Sequence, residues 1–421
     1  MSPRQRASSP LRNRRMVPCQ SLWMKVGAPS APIRDVSLAG CKDVAGAVVV
    51  AARSGDRGQT AGRILRPVPQ SPGPEAWILS KLRIGLVGAG RVGERLARDA
   101  GGLESAAITV VADADPERAR QVAALVSAAA VESIEDVLAR SDVDAVYLAV
   151  PTFLDTMLAQ AAARAGKHVL IVPPGATDAD EALRSLETAR ECDVRLAVAF
   201  ADRYLPVWQR VREMVTAGAI GTVRALHVQC VRAPGAGWGD GWRARRLQAG
   251  GGVLPGEVLP LLDAAHWATG LRPVRAFAEH GGGTPLVEVE DLATMTIGYR
   301  DGATGSVAAA WTAPGGAGPQ GAGHRIIGST GQLWTDGERL WAYGGAWAEV
   351  RLEGAGAPSA RLIDAFARAV AAGEPSPVAD DAGLEAMKLI QAGYASRRLG
   401  RAIRMEDVLQ KVVPGTWNTV G

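Results

Sequence analysis

The sequence predicts an α/β protein with an N-terminal doubly wound parallel sheet of Rossmann type. Three observations carry this. A short apolar run, 82–87, leads into Gly88-Ala89-Gly90-Arg91-Val92-Gly93 and then a helical stretch. A second run, 108–112, ends at Asp113, 20 residues beyond Gly93. Further apolar runs then alternate with helical segments as far as residue 200, the spacing of βαβ units.

Each element has a local reason. Residues 82–87 suit a strand buried on both faces. In the glycine turn the first glycine permits a tight turn, the second lets backbone approach a diphosphate, and the third lets helix and strand pack closely. The helix N-terminus faces the anion. Asp113 is placed to accept the ribose hydroxyls of NAD and to repel the extra phosphate of NADP. Residues 144–150 read as a strand ending at Pro151-Thr152, followed by a helix, a strand at 168–172, a helix at 180–192 and a strand at 195–200. Dinucleotide contacts are therefore expected from Gly88, Gly90, Arg91, Val92, Gly93, Asp113, Pro151 and Thr152.

Composition bounds the rest. With 421 residues, 47% hydrophobic and 21% charged, the chain is long enough for two or three globular domains. No apolar run reaches the length of about 18 residues that a membrane helix needs. The net charge of +4 is unevenly placed: residues 1–80 hold 12 basic and 4 acidic groups, while 81–421 hold 35 and 39. The body is mildly acidic, which argues against nucleic acid as a partner. Four scattered cysteines (Cys19, Cys41, Cys192, Cys230) suggest neither zinc nor a disulfide framework, so a cytoplasmic location is expected. Residues 1–80, rich in Arg, Pro, Gly and Ser, read as a disordered basic extension. The Arg14-Arg15 pair and Cys41 do not make an export signal, because Lys25, Arg34 and Asp35 interrupt the apolar stretch that one requires. The glycine- and proline-rich stretch 313–323 reads as a loop between strands.

From Lys81 to Arg404 the chain resembles the Gfo/Idh/MocA (glucose–fructose oxidoreductase / inositol dehydrogenase) family. The likeness is carried by 84–93, 111–119, 144–152 and 166–170. It continues through Arg203-Tyr204-Leu205-Pro206, Trp242-Arg243, Gly250-Gly251-Gly252, Glu290-Asp291-Leu292-Ala293 and Ile327-Gly328-Ser329-Thr330-Gly331. The resemblance implies a Rossmann domain over 81–200 and, over 201–421, an α/β domain on an open, mainly antiparallel sheet that serves substrate contact and oligomer assembly. It implies NAD as cofactor, with NADP less favoured, a sugar, polyol or related substrate, and a homo-dimer or homo-tetramer. Arg203, Tyr204, Trp242 and Arg243 are then the expected substrate contacts.

The family's catalytic positions do not carry over. Its Glu-Lys-Pro is replaced by Val172-Pro173-Pro174, and its D-x-G-x-H-x-x-D by Gly256, Val258, Pro260 and Asp263; a further family histidine falls at Asp155. Proline has no side-chain proton donor or base, and Pro260 inside a helix is expected to bend it. No lysine lies between Lys167 and Lys388. Asp263 and His266, three apart on one helical face, are the candidate replacement acid/base pair. Glu257 is read as a solvated first-turn carboxylate, and His168, His227, His280 and His324 as structural. Two functions stay open: an NAD-dependent oxidoreductase with a non-standard proton relay, and a catalytically inactive NAD-binding sensor or scaffold, which the prolines favour. No metal site is expected.

Overall fold

The computed structural model describes residues 81–233, 241–282, 287–311, 322–354 and 356–409. The predicted basic extension, Cys19, Cys41 and residues 313–321 of the predicted loop lie outside the described residues. Residues 322 and 323, assigned above to that loop, belong to a strand instead. The described residues fall within one compact unit, 68–421.

Its first layer is a six-stranded parallel sheet: β1 (Leu82–Val87), β2 (Ala106–Ala112), β3 (Ala129–Val131), β4 (Ala145–Leu148), β5 (His168–Ile171) and β6 (Leu196–Val198). The spatial order is β3-β2-β1-β4-β5-β6, so the order reverses between β1 and β4 and leaves a crevice beyond their carboxyl ends. The connections run through α1 (Arg91–Ala100), α2 (Pro116–Leu125), α3 (Ile134–Leu138), α4 (Thr152–Arg164) and α5 (Ala179–Glu191). Their starts follow local chemistry. The Asp115 side chain accepts from the backbone N–H groups of Glu117 and Arg118, with Pro116 in the first turn, and Asp178 accepts from Glu181 N.

The second layer begins with α6 (Pro206–Thr216), followed by β7 (Val223–Val231). A short α7 (Arg246–Ala249), a π-helical turn (Leu254–Val258) and α8 (Leu259–Thr269) precede the rest of the sheet. Those strands are β8 (Pro273–Gly281), β9 (Leu292–Tyr299), β10 (Thr304–Ala310), β11 (Ala322–Gly328), β12 (Gln332–Thr335), β13 (Leu340–Tyr343) and β14 (Trp347–Val350). Then come α9 (Pro358–Ala372), α10 (Ala382–Leu399) and β15 (Ile403–Arg404). The nine strands lie in the order β14-β13-β12-β11-β7-β10-β9-β8-β15, antiparallel except for the β7–β10 pair. Period-2 patterning makes the sheet one-sided. Leu226, Val228, Met295, Ile297, Val307 and Ile326 are buried, while His227, Gln229, Thr294, Thr296 and Ala308 are exposed.

Pro260 lies inside a helical run that continues from 253 to 269, and the turn just before it, Leu254–Val258, is π-helical, so the regular ladder is interrupted directly ahead of the proline.

The close approach of α1 to β1 rests on Gly93, where a Cβ would lie 1.9 Å from the Gly88 carbonyl oxygen. At Gly90, by contrast, a Cβ would meet nothing within 4 Å. Gly93→Ala is therefore expected to cost about 1–3 kcal/mol of stability and to lower the melting temperature by several degrees. Gly90→Ala is expected to leave it unchanged, and thermal unfolding of the two variants side by side checks the contrast.

Candidate functional site

The crevice beyond β1 and β4 is shaped by its own backbone. Gly88 turns the chain at φ +100°. The open space at Gly90 is a cradle into which a diphosphate can come against bare backbone, at the N-terminus of α1. Arg91 is exposed and Val92 half-buried beside it; Pro151 caps α4 across the crevice, with Thr152 buried behind it. The residues present thus fit a dinucleotide.

Asp113, at the end of β2, is less free than its position suggests. Its Oδ2 accepts from Ala89 N at 2.7 Å and its Oδ1 from Asp115 N at 2.9 Å, while the Arg118 guanidinium stands 3.1 Å from Oδ1. A carboxylate offers about four lone-pair directions, so roughly one remains, on Oδ2. Each oxygen of Asp113 thus already accepts one backbone N–H, and the exposed Arg118 side chain stands beside Oδ1.

Arg203 and Asp263 meet in a buried bidentate pair, Nε to Oδ2 at 2.7 Å and Nη2 to Oδ1 at 2.6 Å. Their burial is nearly complete, at 9% and 8% exposure. Burial raises the Asp263 carboxyl, and Arg203 opposes that rise. His266 turns elsewhere: its Nε2 lies 3.0 Å from the Tyr299 hydroxyl, and burial alone lowers the imidazole to about 4. Asp263 and His266, the candidate acid/base pair, thus each meet a partner on another element, Arg203 and Tyr299. Arg203 turns inward to Asp263 rather than outward to solvent. Tyr204 is half-buried, its ring 5.7 Å from the Arg361 guanidinium.

A Cβ at Gly256 would lie 2.9 Å from the Trp311 ring, so an indole packs over this position. Pro173 and Pro174 follow β5 through a cis bond. At Asp155 burial, and secondarily Glu181, raises the carboxyl well above its ordinary range. The triple glycine is held by Glu290, which accepts from Gly252 N at 2.9 Å, Leu254 N at 3.0 Å and the Tyr394 hydroxyl at 2.6 Å. Such bonds to a buried carboxylate fix the segment that carries Glu257. Trp242 lies under Arg243, with the guanidinium 4.3 Å from the ring. Glu257 is not simply solvated, since Arg232 bridges to it at 3.2 Å.

One carboxyl escaped the sequence reading. Asp202, in the 3-10 turn Ala201–Tyr204 after β6, has no hydrogen bond to its side chain among the described residues. Burial raises it, and Arg232 and Arg95 pull it down. Only its place one residue before Arg203, at the carboxyl end of a strand, could have drawn notice. No group of metal-binding side chains occurs among the described residues, and none of their helices is long and apolar enough to cross a membrane.

Because His266 is neutral when folded and titrates near 6.5 when unfolded, it contributes stability that is present above pH 6.5 and is lost as pH falls toward 4. His266→Gln should therefore show a smaller drop in melting temperature between pH 7 and pH 4.5 than the wild type, read by thermal unfolding at both pH values.

Comparison with known proteins agrees with this architecture. Residues 82–200 match the model of the oxidoreductase family with an NAD-binding Rossmann fold, and residues 208–334 match the GFO/IDH/MocA C-terminal domain. The dTDP-3,4-didehydro-2,6-dideoxy-α-D-glucose 3-reductase of Streptomyces violaceoruber is 39% identical over 153 residues, 36% of this chain and 44% of that protein. The inositol 2-dehydrogenase of Rhizobium meliloti is 30% identical over 197 residues, 47% of this chain and 58% of that one. The chain thus aligns with about half the length of these relatives. Among solved structures, the aldose-aldose oxidoreductase from Caulobacter crescentus superposes with a TM-score of 0.71 at 23% identity, covering 77% of this chain and 100% of that one. A levoglucosan dehydrogenase in complex with NADH and levoglucosan gives 0.70 at 21%, covering 80% and 100%. These structural likenesses establish the fold. The two family models together span more than half of the sequence, and the chain belongs to the GFO/IDH/MocA family of NAD-binding oxidoreductases.

Proposed function

We propose that this protein exchanges a hydride between NAD(H) and a sugar, polyol or related small molecule held between the Rossmann crevice and the segment 250–263. The observation that carries the reading is the open cradle at Gly90, framed by Asp113 and by Pro151-Thr152. When bound, the nicotinamide supplies the hydride acceptor or donor. The chain's own residues hold and orient: Gly88, Gly90, Arg91, Val92 and Gly93 the diphosphate, Asp113 one ribose hydroxyl, and Trp242 with Arg243 the substrate. Relatives named for sugar and inositol substrates support the substrate class. The outward face of the antiparallel sheet, with its exposed Thr, Ala and Gln side chains, is assigned to self-association as a dimer or tetramer.

Oxidising an alcohol also removes a hydroxyl proton. Asp263 is committed to Arg203 and the half-buried His266 to Tyr299, so the proton is assigned to Asp202, whose carboxyl has no hydrogen-bond partner among the described residues and is raised by burial. A sensor or scaffold without turnover is the second reading, favoured by proline at 173 and by the indole over Gly256.

Titration of NADH fluorescence, followed by a screen of sugars and polyols at the reduced-nicotinamide absorbance, tests both readings. Binding with turnover supports the oxidoreductase, binding alone the sensor, and absence of binding defeats both. With a turned-over substrate in hand, Asp202→Asn is expected to lower kcat by about 10²–10⁴-fold with NADH affinity unchanged. Equal kcat in wild type and variant would remove Asp202 from the reaction. Asp113→Asn keeps an acceptor for Ala89 N but removes the charge that opposes a 2′-phosphate beside Arg118. The NADPH-to-NADH affinity ratio should then rise by about tenfold or more, the worth of a hydrogen bond to a charged group, measured by parallel fluorescence titrations.

A further inference from the structure

At the triple glycine three separate parts of the chain press on one short piece of backbone. A Cβ at Gly250 would lie 2.5 Å from the carbonyl oxygen of Thr177, in the loop between β5 and α5. At Gly251 it would lie 2.9 Å from Cζ of Tyr394 on α10. At Gly252 it would lie 2.8 Å from the carbonyl carbon of Glu290, just ahead of β9. The Rossmann wall, the closing helix and the second sheet therefore meet here with no room for a side chain between them.

A carboxylate pins each side of this joint. On the Rossmann side Glu181, in the first turn of α5, accepts through Oε2 alone from the Thr177 hydroxyl at 2.6 Å and from Thr177 N at 3.2 Å. Its Oε1 faces only Arg184, 3.7 Å away. On the other side Glu290 uses both oxygens: Oε1 accepts from Leu254 N and the Tyr394 hydroxyl, and Oε2 from Gly252 N. Helix α10 ties the two sides together. Gln391 Oε1 accepts from Ala179 N at the start of α5, and Tyr394, three residues on, reaches Glu290 from the same helical face.

We propose that Glu181 and Glu290 are positioning residues of the substrate cleft. Acting through Thr177 and through Gly252, they hold the triple glycine where the segment 250–263 joins the Rossmann wall. The inference rests on the substrate placement proposed above. The two carboxylates differ in what they require. An amide side chain keeps one acceptor oxygen and turns an N–H₂ group toward whatever faced the other. Glutamine can therefore replace Glu181, whose second oxygen takes no hydrogen bond, but at 290 it must set a donor against a donor.

Hydrogen–deuterium exchange of the full-length protein tests this, following amides 250–258 with the glycine turn 82–93 as internal reference. Glu181→Ala and Glu290→Gln are each expected to speed exchange over 250–258 about tenfold, as loss of a hydrogen bond to a charged group does. The reference should keep its wild-type rate, and Glu181→Gln should exchange as the wild type. With a turned-over substrate, KM should rise about tenfold in the first two variants and stay unchanged in Glu181→Gln, with NADH affinity the same in all. Should Glu290→Gln not fold, Tyr394→Phe keeps the ring beside Gly251, removes one donor, and is expected to speed exchange about fivefold. Wild-type exchange over 250–258 in Glu181→Ala and the variant at 290 or 394 overturns the proposal. So does faster exchange that extends equally to 82–93, which marks lost stability alone, or faster exchange with an unchanged KM. If the wild type binds no NADH, the hydride reading fails, and the exchange contrast between Glu181→Ala and Glu181→Gln alone decides whether the carboxylates hold the segment.

Discussion

The buried pair of Arg203 and Asp263 is the constraint on which the site depends. Taking two charges out of water is expensive, and only a two-pronged contact at 2.6–2.7 Å offsets it. The residues joined are 60 apart in sequence. One belongs to the turn that ends the parallel sheet, the other to the helix that follows the triple glycine, so the pair fixes the substrate-side helix relative to the carboxyl ends of the Rossmann strands. Removal of either partner would leave the other charged in a place that water cannot reach. Gln209 adds to this by donating to the Arg203 carbonyl at 2.6 Å, which holds the turn itself.

That arrangement also determines where proton chemistry can reside. A carboxylate locked to a guanidinium is a poor proton carrier, and an imidazole lowered to about 4 is an acceptor only where solvent or substrate can reach it. The indole of Trp311 over Gly256 and the two prolines after β5 make this part of the wall apolar. Arginine cannot replace the family's lysine as a proton donor, since it does not lose its charge in proteins. It can still attract an anion. In the proposed reading the proton therefore falls to a carboxyl group, Asp202, rather than to a basic side chain.

Much of the fold was legible from the residues alone. The run of Leu, Ile and Val before Gly88, the three glycines and the acid after β2 each have a single physical use, and they lie within 32 residues of one another. Strand β3 and helix α3 were missed because they are short and β3 is largely exposed, so no apolar run marks them. The site was less legible. Asp263 and His266 share a helical spacing, which says nothing of Arg203 or Tyr299 arriving from distant strands and turns. The same holds for Glu257, whose solvated position is changed by an arginine at the end of β7. Local periodicity shows which residues share a face, but the partner of a buried charge is decided by topology.

The distribution of buried acids carries the argument one step further. Asp155, Asp202, Asp263 and Glu290 are all raised by burial, so the interior beside the crevice resists negative charge. Glu290 is tolerated because two backbone N–H groups and a tyrosine hydroxyl converge on it, and Asp263 because Arg203 does. Asp202 has no such hydrogen bond among the described residues. A carboxyl in that position is poised to gain or lose a proton as the charge beside it changes.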